Sequence, residues 1–142
     1  MTMPSIQIYV KKDFMYAIPL ANVPAGFFVW SDPVKIVRSE DKESFVSGII
    51  QLMRRDDILV SAVSADAESA VLSHSKCKTL RQFAKNCREY SLELAGKSWQ
   101  ITPYKPRSDR GTEEDLDAKI VLDEACSYEQ IAEALYDVAA KG

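Results

Sequence analysis

The stretch from Tyr90 to Ala140 constrains the fold most, because two kinds of hydrophobic period follow one another in it with their turn and cap signals in place. Tyr90, Leu92 and Leu94 fall two apart, as do Trp99 and Ile101, the spacing at which side chains share one face of a strand. Ala95-Gly96-Lys97 between them supplies the permissive residue of a tight reversal, so the pattern predicts a hairpin. A polar run, Arg107–Asp115, separates this hairpin from Lys119-Ile120-Val121-Leu122, which suits a short strand with a buried face. Ser127 then stands three residues before Gln130, a capping box, and Ile131, Ala132, Leu135, Val138 and Ala139 recur behind it at helical spacing. One sheet with helices packed on it buries all these faces at once.

The N-terminal part extends the same plan. Ile6–Val10 alternates and is rich in β-formers, which predicts the first strand, ended by Lys11-Lys12-Asp13. Pro19, Pro24 and Pro33 exclude a long helix and are expected to cut the following segment into short strands at Met15–Pro19, Phe27–Trp30 and Val34–Val37. A helix capped by Ser39 or Asp41 carries the stripe Phe45, Val46, Ile49, Ile50 and Met53 and ends at Arg54-Arg55, where the helix dipole favours positive charge. From Asp57 to Ser75 no turn chemistry decides between strand and helix. Thr79 and Gln82 form a second capping box before Leu80, Phe83, Ala84 and Cys87.

The expected fold is therefore α+β: a single domain over residues 1–142, a mostly antiparallel sheet with about three helices packed on it. Its expected core joins Phe45, Ile49, Leu80, Phe83, Trp99, Ile101, Val121, Ile131 and Leu135.

Several chemistries lack their residues. The one histidine, His74, with Cys77 and Cys87 nearby, does not make the paired-ligand pattern of a zinc site. His74 is also the sole conventional base for a serine or cysteine nucleophile, and no Gly-x-Ser-x-Gly elbow accompanies it. Five glycines occur, without a Gly-x-Gly or P-loop arrangement to cradle phosphate. No catalytic residue, metal or cofactor is expected. Lys97, Lys105, Arg107 and Arg110 interleave with Trp99 and Tyr104 as in a nucleic-acid surface, but the acids from Glu113 onward lie beside them and oppose phosphate binding. No run approaches the roughly 20 apolar residues of a membrane span. The N-terminus has no signal pattern and the three cysteines are an odd number, so a reduced, cytoplasmic protein is expected.

Charge is unevenly spread. From Glu113 to Gly142 nine acids stand against Lys119 and Lys141, a net of −7, so residues 1–112 carry +4 of the chain's net −3. Such asymmetry either solubilises one face or steers a basic partner to it.

The blocks Lys78–Asn86, Tyr90-Ser91-Leu92 and Trp99–Pro106, continued by Lys119–Leu122 and Ser127–Leu135, resemble the immunity proteins of bacterial contact-dependent growth inhibition systems. The resemblance runs from Lys78 to Leu135 and consists of framework motifs. It implies a protein without a catalytic site that binds and neutralises the C-terminal toxin domain of its own system, commonly a nuclease, in the cytoplasm. The toxin-facing surface varies between types, so no site residue is carried over. Charge nominates Glu113, Glu114, Asp115, Asp117, Asp123 and Glu124 as the surface for a basic toxin domain. The alternative is a small-molecule-binding or regulatory α+β domain.

Overall fold

The computed structural model describes residues 5–22, 28–31, 33–54, 65–85, 87–106, 112–123 and 125–141. Eight strands form one antiparallel sheet: β1 Ser5–Lys11, β2 Phe14–Asn22, β3 Phe28–Trp30, β4 Lys35–Arg38, β5 Arg88–Ala95, β6 Ser98–Pro106, β7 Thr112–Glu114 and β8 Ile120–Leu122. The helices are α1 Lys42–Met53, α2 Ala65–Ser75, α3 Leu80–Ala84 and α4 Tyr128–Lys141, with one 3-10 turn at Leu116–Ala118. The main path of the sheet is β3-β2-β1-β5-β6-β7. Both outer positions are shared: β4 joins β3 alongside β2, and β8 joins β7 alongside β6. The α+β, single-domain expectation agrees with this architecture.

Two-residue reversals set the central registers. Ala95 faces Ser98 across Gly96-Lys97, and Gly96 has φ +65°, the conformation a glycine adopts without Cβ strain. Lys11 faces Phe14 across Lys12-Asp13, where Lys12 takes φ +56°. Alternation then divides the side chains between two faces. On the first, Ile6, Ile8, Val10, Met15, Ala17, Tyr90, Leu92, Trp99 and Ile101 are buried beneath α1 and α4, with Phe45, Ile49, Leu52, Met53, Ile131, Ala132, Leu135 and Ala139 from the helices. On the second, Tyr16 and Ile18 pack with Val71 of α2 and Phe83 of α3.

The caps form as the sequence implies. Ser127 Oγ accepts from Gln130 N at 3.1 Å, and Gln130 Oε1 accepts from Ser127 N at 2.8 Å, a complete capping box for α4. Asp41, not Ser39, caps α1, accepting from Ser44 N at 3.1 Å, and the Ser44 hydroxyl together with this backbone bond holds its carboxyl below the usual range. Thr79 accepts from Gln82 N at 3.1 Å, but Gln82 Oε1 reaches back one residue farther than a standard box, to Lys78 N.

Several expectations are corrected. Pro19 does not end a strand: β2 runs through it for nine residues. Its carbonyl accepts from Ser31 N at 2.8 Å, away from β1, so its missing N–H also falls on the side away from β1 and interrupts no β1 bond. The expected single core is two cores, because Phe83 belongs to the second face. Leu80 is half-buried, and Cys87 lies beyond the end of α3. Val121 is 58% exposed, since its neighbours Ile120 and Leu122 take the core side of β8. The undecided segment Asp57–Ser75 contains α2, and its earlier part lies outside the described residues.

Candidate functional site

The outer edge of the sheet gathers the acidic surface. The expected polar crossing, residues 107–115, contains a strand, and its first part, 107–111, lies outside the described residues: β7 pairs with β6, placing Glu113 opposite Lys105 and Glu114 opposite Tyr104. Asp115 N donates to Pro103 O at 2.7 Å, after which the 3-10 turn bulges outward before β8 rejoins β6 with Ile120 opposite Ile101. Two residues of β6, Thr102 and Pro103, are thus faced by the five residues 115–119, and the surplus pushes Leu116 and Asp117 into solvent. Glu113 and Leu122 lie opposite Lys105 and Trp99, six residues apart on β6, so the edge is about 20 Å long.

Of the nominated residues, Glu113, Glu114 and Asp117 are exposed on this edge and Asp115 is half-buried in it. Asp123 is exposed at the far end, but its carboxylate accepts from Ala125 N at 2.8 Å and its carbonyl from Cys126 N at 2.9 Å, so it also shapes the turn into α4. Glu124 lies outside the described residues. Three large apolar side chains stand among these acids: Leu116 is 64% exposed, Val121 58% and Tyr128 38%. Tyr128 packs edge-on against Trp99 at 6.1 Å, which fixes the start of α4 to the sheet edge. The charge was legible in sequence, whereas the apolar members were not. The signal for Val121 was the three-residue apolar run of a short strand, in which alternation allows only two residues inward.

A second polar group emerges only from the register. Gln7, Ser91 and Thr102 face one another across β1, β5 and β6 on the second face, and all three are buried. Beside them Gln7 donates to the Glu89 carboxylate, and Ser91 bonds Tyr104. Burial raises the Glu89 carboxyl above its usual range, with the Gln7 bond opposing. Burial likewise raises Tyr104, with Glu114, Glu89 and Glu93 adding to the effect against the Ser91 bond. Among the described residues Thr102 Oγ1 has no hydrogen-bond partner. In sequence these residues are the polar positions beside the apolar ones of alternating strands, a pattern that does not show that they meet.

His74 lies beside neither group. Its Nδ1 is 2.8 Å from the Tyr16 hydroxyl and its ring meets Phe14 edge-on at 4.5 Å, making it part of the aromatic layer over the second face. Burial pushes Tyr16 up to about 12 and the Cys87 thiol up to about 11, leaving both neutral at physiological pH. Among the described residues no three His, Cys, Asp or Glu side chains assemble as metal ligands, and no helix is long and apolar enough to cross a membrane.

No protein-family model and no curated protein matches the chain. Solved structures share its fold. A protein of unknown function from Neisseria meningitidis is 12% identical, with a TM-score of 0.69 over 94% of this chain and 92% of that one. A chain of the CdiA-CT/CdiI toxin and immunity complex from Yersinia pseudotuberculosis is 12% identical, with a TM-score of 0.57 over 99% of this chain and 97% of that one.

Proposed function

We propose that this protein is an immunity protein that binds the C-terminal toxin domain of a contact-dependent growth inhibition system, a basic nuclease, and neutralises it in the cytoplasm without catalysing a reaction. The observation that carries this reading is the outer edge of the sheet, along which Glu113, Glu114, Asp115 and Asp117 share one strand edge with exposed Leu116 and Val121. Carboxylates there are suited to pair with the lysines and arginines by which a nuclease holds phosphate, and the apolar side chains supply area that gains from desolvation. Support also comes from the fold shared, over nearly the whole of both chains, with a member of a toxin and immunity complex.

The reading is tested by growth. Cells expressing the C-terminal domain encoded immediately upstream of this protein should stop dividing, and co-expression of this protein should restore growth and yield a complex that copurifies. Failure to protect, with both proteins folded and soluble, contradicts the reading. A melting shift with a small metabolite and without a protein partner would favour a ligand-binding domain instead.

A further inference from the structure

The two helices that close the first face leave a groove on their solvent side. Tyr136 packs on Phe45 with ring centres 5.5 Å apart and donates to Ser39 O at 2.6 Å, while Lys42 pairs with Asp137 at 3.7 Å. The C-terminal half of α4 therefore lies against the start of α1, so the two helices run antiparallel and the first turns of α4 lie beside the last turns of α1. Between them is a groove of about 670 Å³. Val46 and Ile50, half-buried against the core below, give it an apolar floor, and Glu43, Glu129 and Glu133 stand along it.

Its lining is net negative, with Glu43, Glu129 and Glu133 against Lys42 and Arg54. The Lys42 ammonium is engaged by Asp137 and sits over the Tyr136 ring at 5.8 Å, and the Lys35 ammonium, on the other side of Glu43, bonds Gln51 Oε1 at 2.6 Å, so of the lining cations Arg54 at the end of α1 is left to face the three carboxylates. Among the described residues none of Glu43, Glu129 and Glu133 forms an ion pair. From Glu43 to Arg54 the groove follows about three helical turns, about 16 Å.

We infer that this groove seats a basic amphipathic helix of a protein partner, its apolar side chains on Val46 and Ile50 and its lysines or arginines against Glu43, Glu129 and Glu133. The inference rests on the reading of the protein as a binder of a basic domain and adds a second, helical contact to the acidic sheet edge. A third helix laid into the groove of an antiparallel pair repeats the ridge-in-groove geometry by which helices pack, and a helix of about three turns matches the length available.

The probe is a fluorescein-labelled peptide of about three to four turns, leucine at i, i+3, i+4 and i+7 and lysine elsewhere, titrated into the full chain by anisotropy. A scrambled peptide of the same composition separates amphipathic docking from general charge attraction. Binding of the ordered peptide should exceed that of the scrambled one and fall with added salt. It should weaken about tenfold or more in Glu129→Lys/Glu133→Lys and in Val46→Ser/Ile50→Ser, with melting curves showing both variants folded. It should persist in Glu113→Lys/Glu114→Lys/Asp115→Lys. No binding, equal binding of the scrambled peptide, or binding indifferent to both groove variants overturns the inference. The growth test decides the immunity reading separately: protection alongside a failed peptide titration removes the groove and leaves that reading standing.

Discussion

The two faces of the sheet are covered differently. On the first, α1 and α4 lie over fully buried apolar side chains from four strands, and the Trp99, Ile101, Leu92 and Ile8 positions continue one packed layer toward the outer edge. On the second, α2 and the five-residue α3 meet an aromatic group at the β1–β2 end: Phe83 stacks edge-on with Tyr9 at 5.3 Å, Tyr16 at 5.0 Å and Trp30 at 6.2 Å. Toward β5 and β6 that face turns polar, through Gln7, Ser91, Glu89 and Thr102. The first face is thus held by apolar area, which is non-directional and large, and the second by a few ring contacts and hydrogen bonds that can be left incomplete, as Thr102 is.

The largest test of this contrast is truncation on the first face. Leu135 is fully buried, so Leu135→Ala should lower unfolding stability by about 2–5 kcal/mol in chemical denaturation. A smaller loss is expected on the second face from Phe83→Leu, which keeps most of the apolar volume and removes the ring contacts: about 1–1.5 kcal/mol. Equal losses would erase the distinction between an area-held face and a ring-held one.

The polar part of the second face offers two finer tests. Thr102→Val removes a buried hydroxyl that lacks a partner and should raise stability by about 1 kcal/mol, where the same change at a bonded threonine lowers it. The effect at Glu89 is read through pH. Its carboxyl is raised in the folded state, so between the unfolded pKa and the raised one the folded protein holds the extra proton. Its contribution to stability is therefore present below the unfolded value and lost as pH rises through the folded one. Glu89→Gln keeps an acceptor for the Gln7 amide and removes the titration. Melting curves of the two proteins should agree best near about pH 4 and diverge towards about pH 7, with the variant the more stable. A difference that is constant with pH would show that Glu89 acts through shape rather than charge.

What was legible in the sequence is what neighbouring residues decide among themselves. Ser127 and Gln130 cap α4 within one turn, and Gly96 sets its hairpin where it stands. What was hidden depends on distant partners. The passage of β2 through Pro19 depends on which side its missing N–H falls, and the exposure of Val121 on its register opposite Gln100. The α2 helix has an apolar side reduced to Ala67 and Val71 as its buried members, too sparse a stripe to read against a strand. Along the acidic edge, composition located the charge, whereas the pairing of β7 with β6 and the exposed Leu116 and Val121 depended on how strands meet.

The proposed role of the acidic edge is tested most directly by the rate at which the proposed partner, a C-terminal toxin domain, associates with this protein, measured against salt for the wild type and for Glu113→Lys/Glu114→Lys/Asp115→Lys. Exposed charges are screened beyond about 8–10 Å at physiological ionic strength, so the wild-type rate should fall steeply as salt is added. The variant should associate slowly at low salt and show a flattened salt dependence, with a melting temperature close to that of the wild type. A variant that binds at the wild-type rate at low salt would contradict the account and leave the acidic edge a solubilising surface.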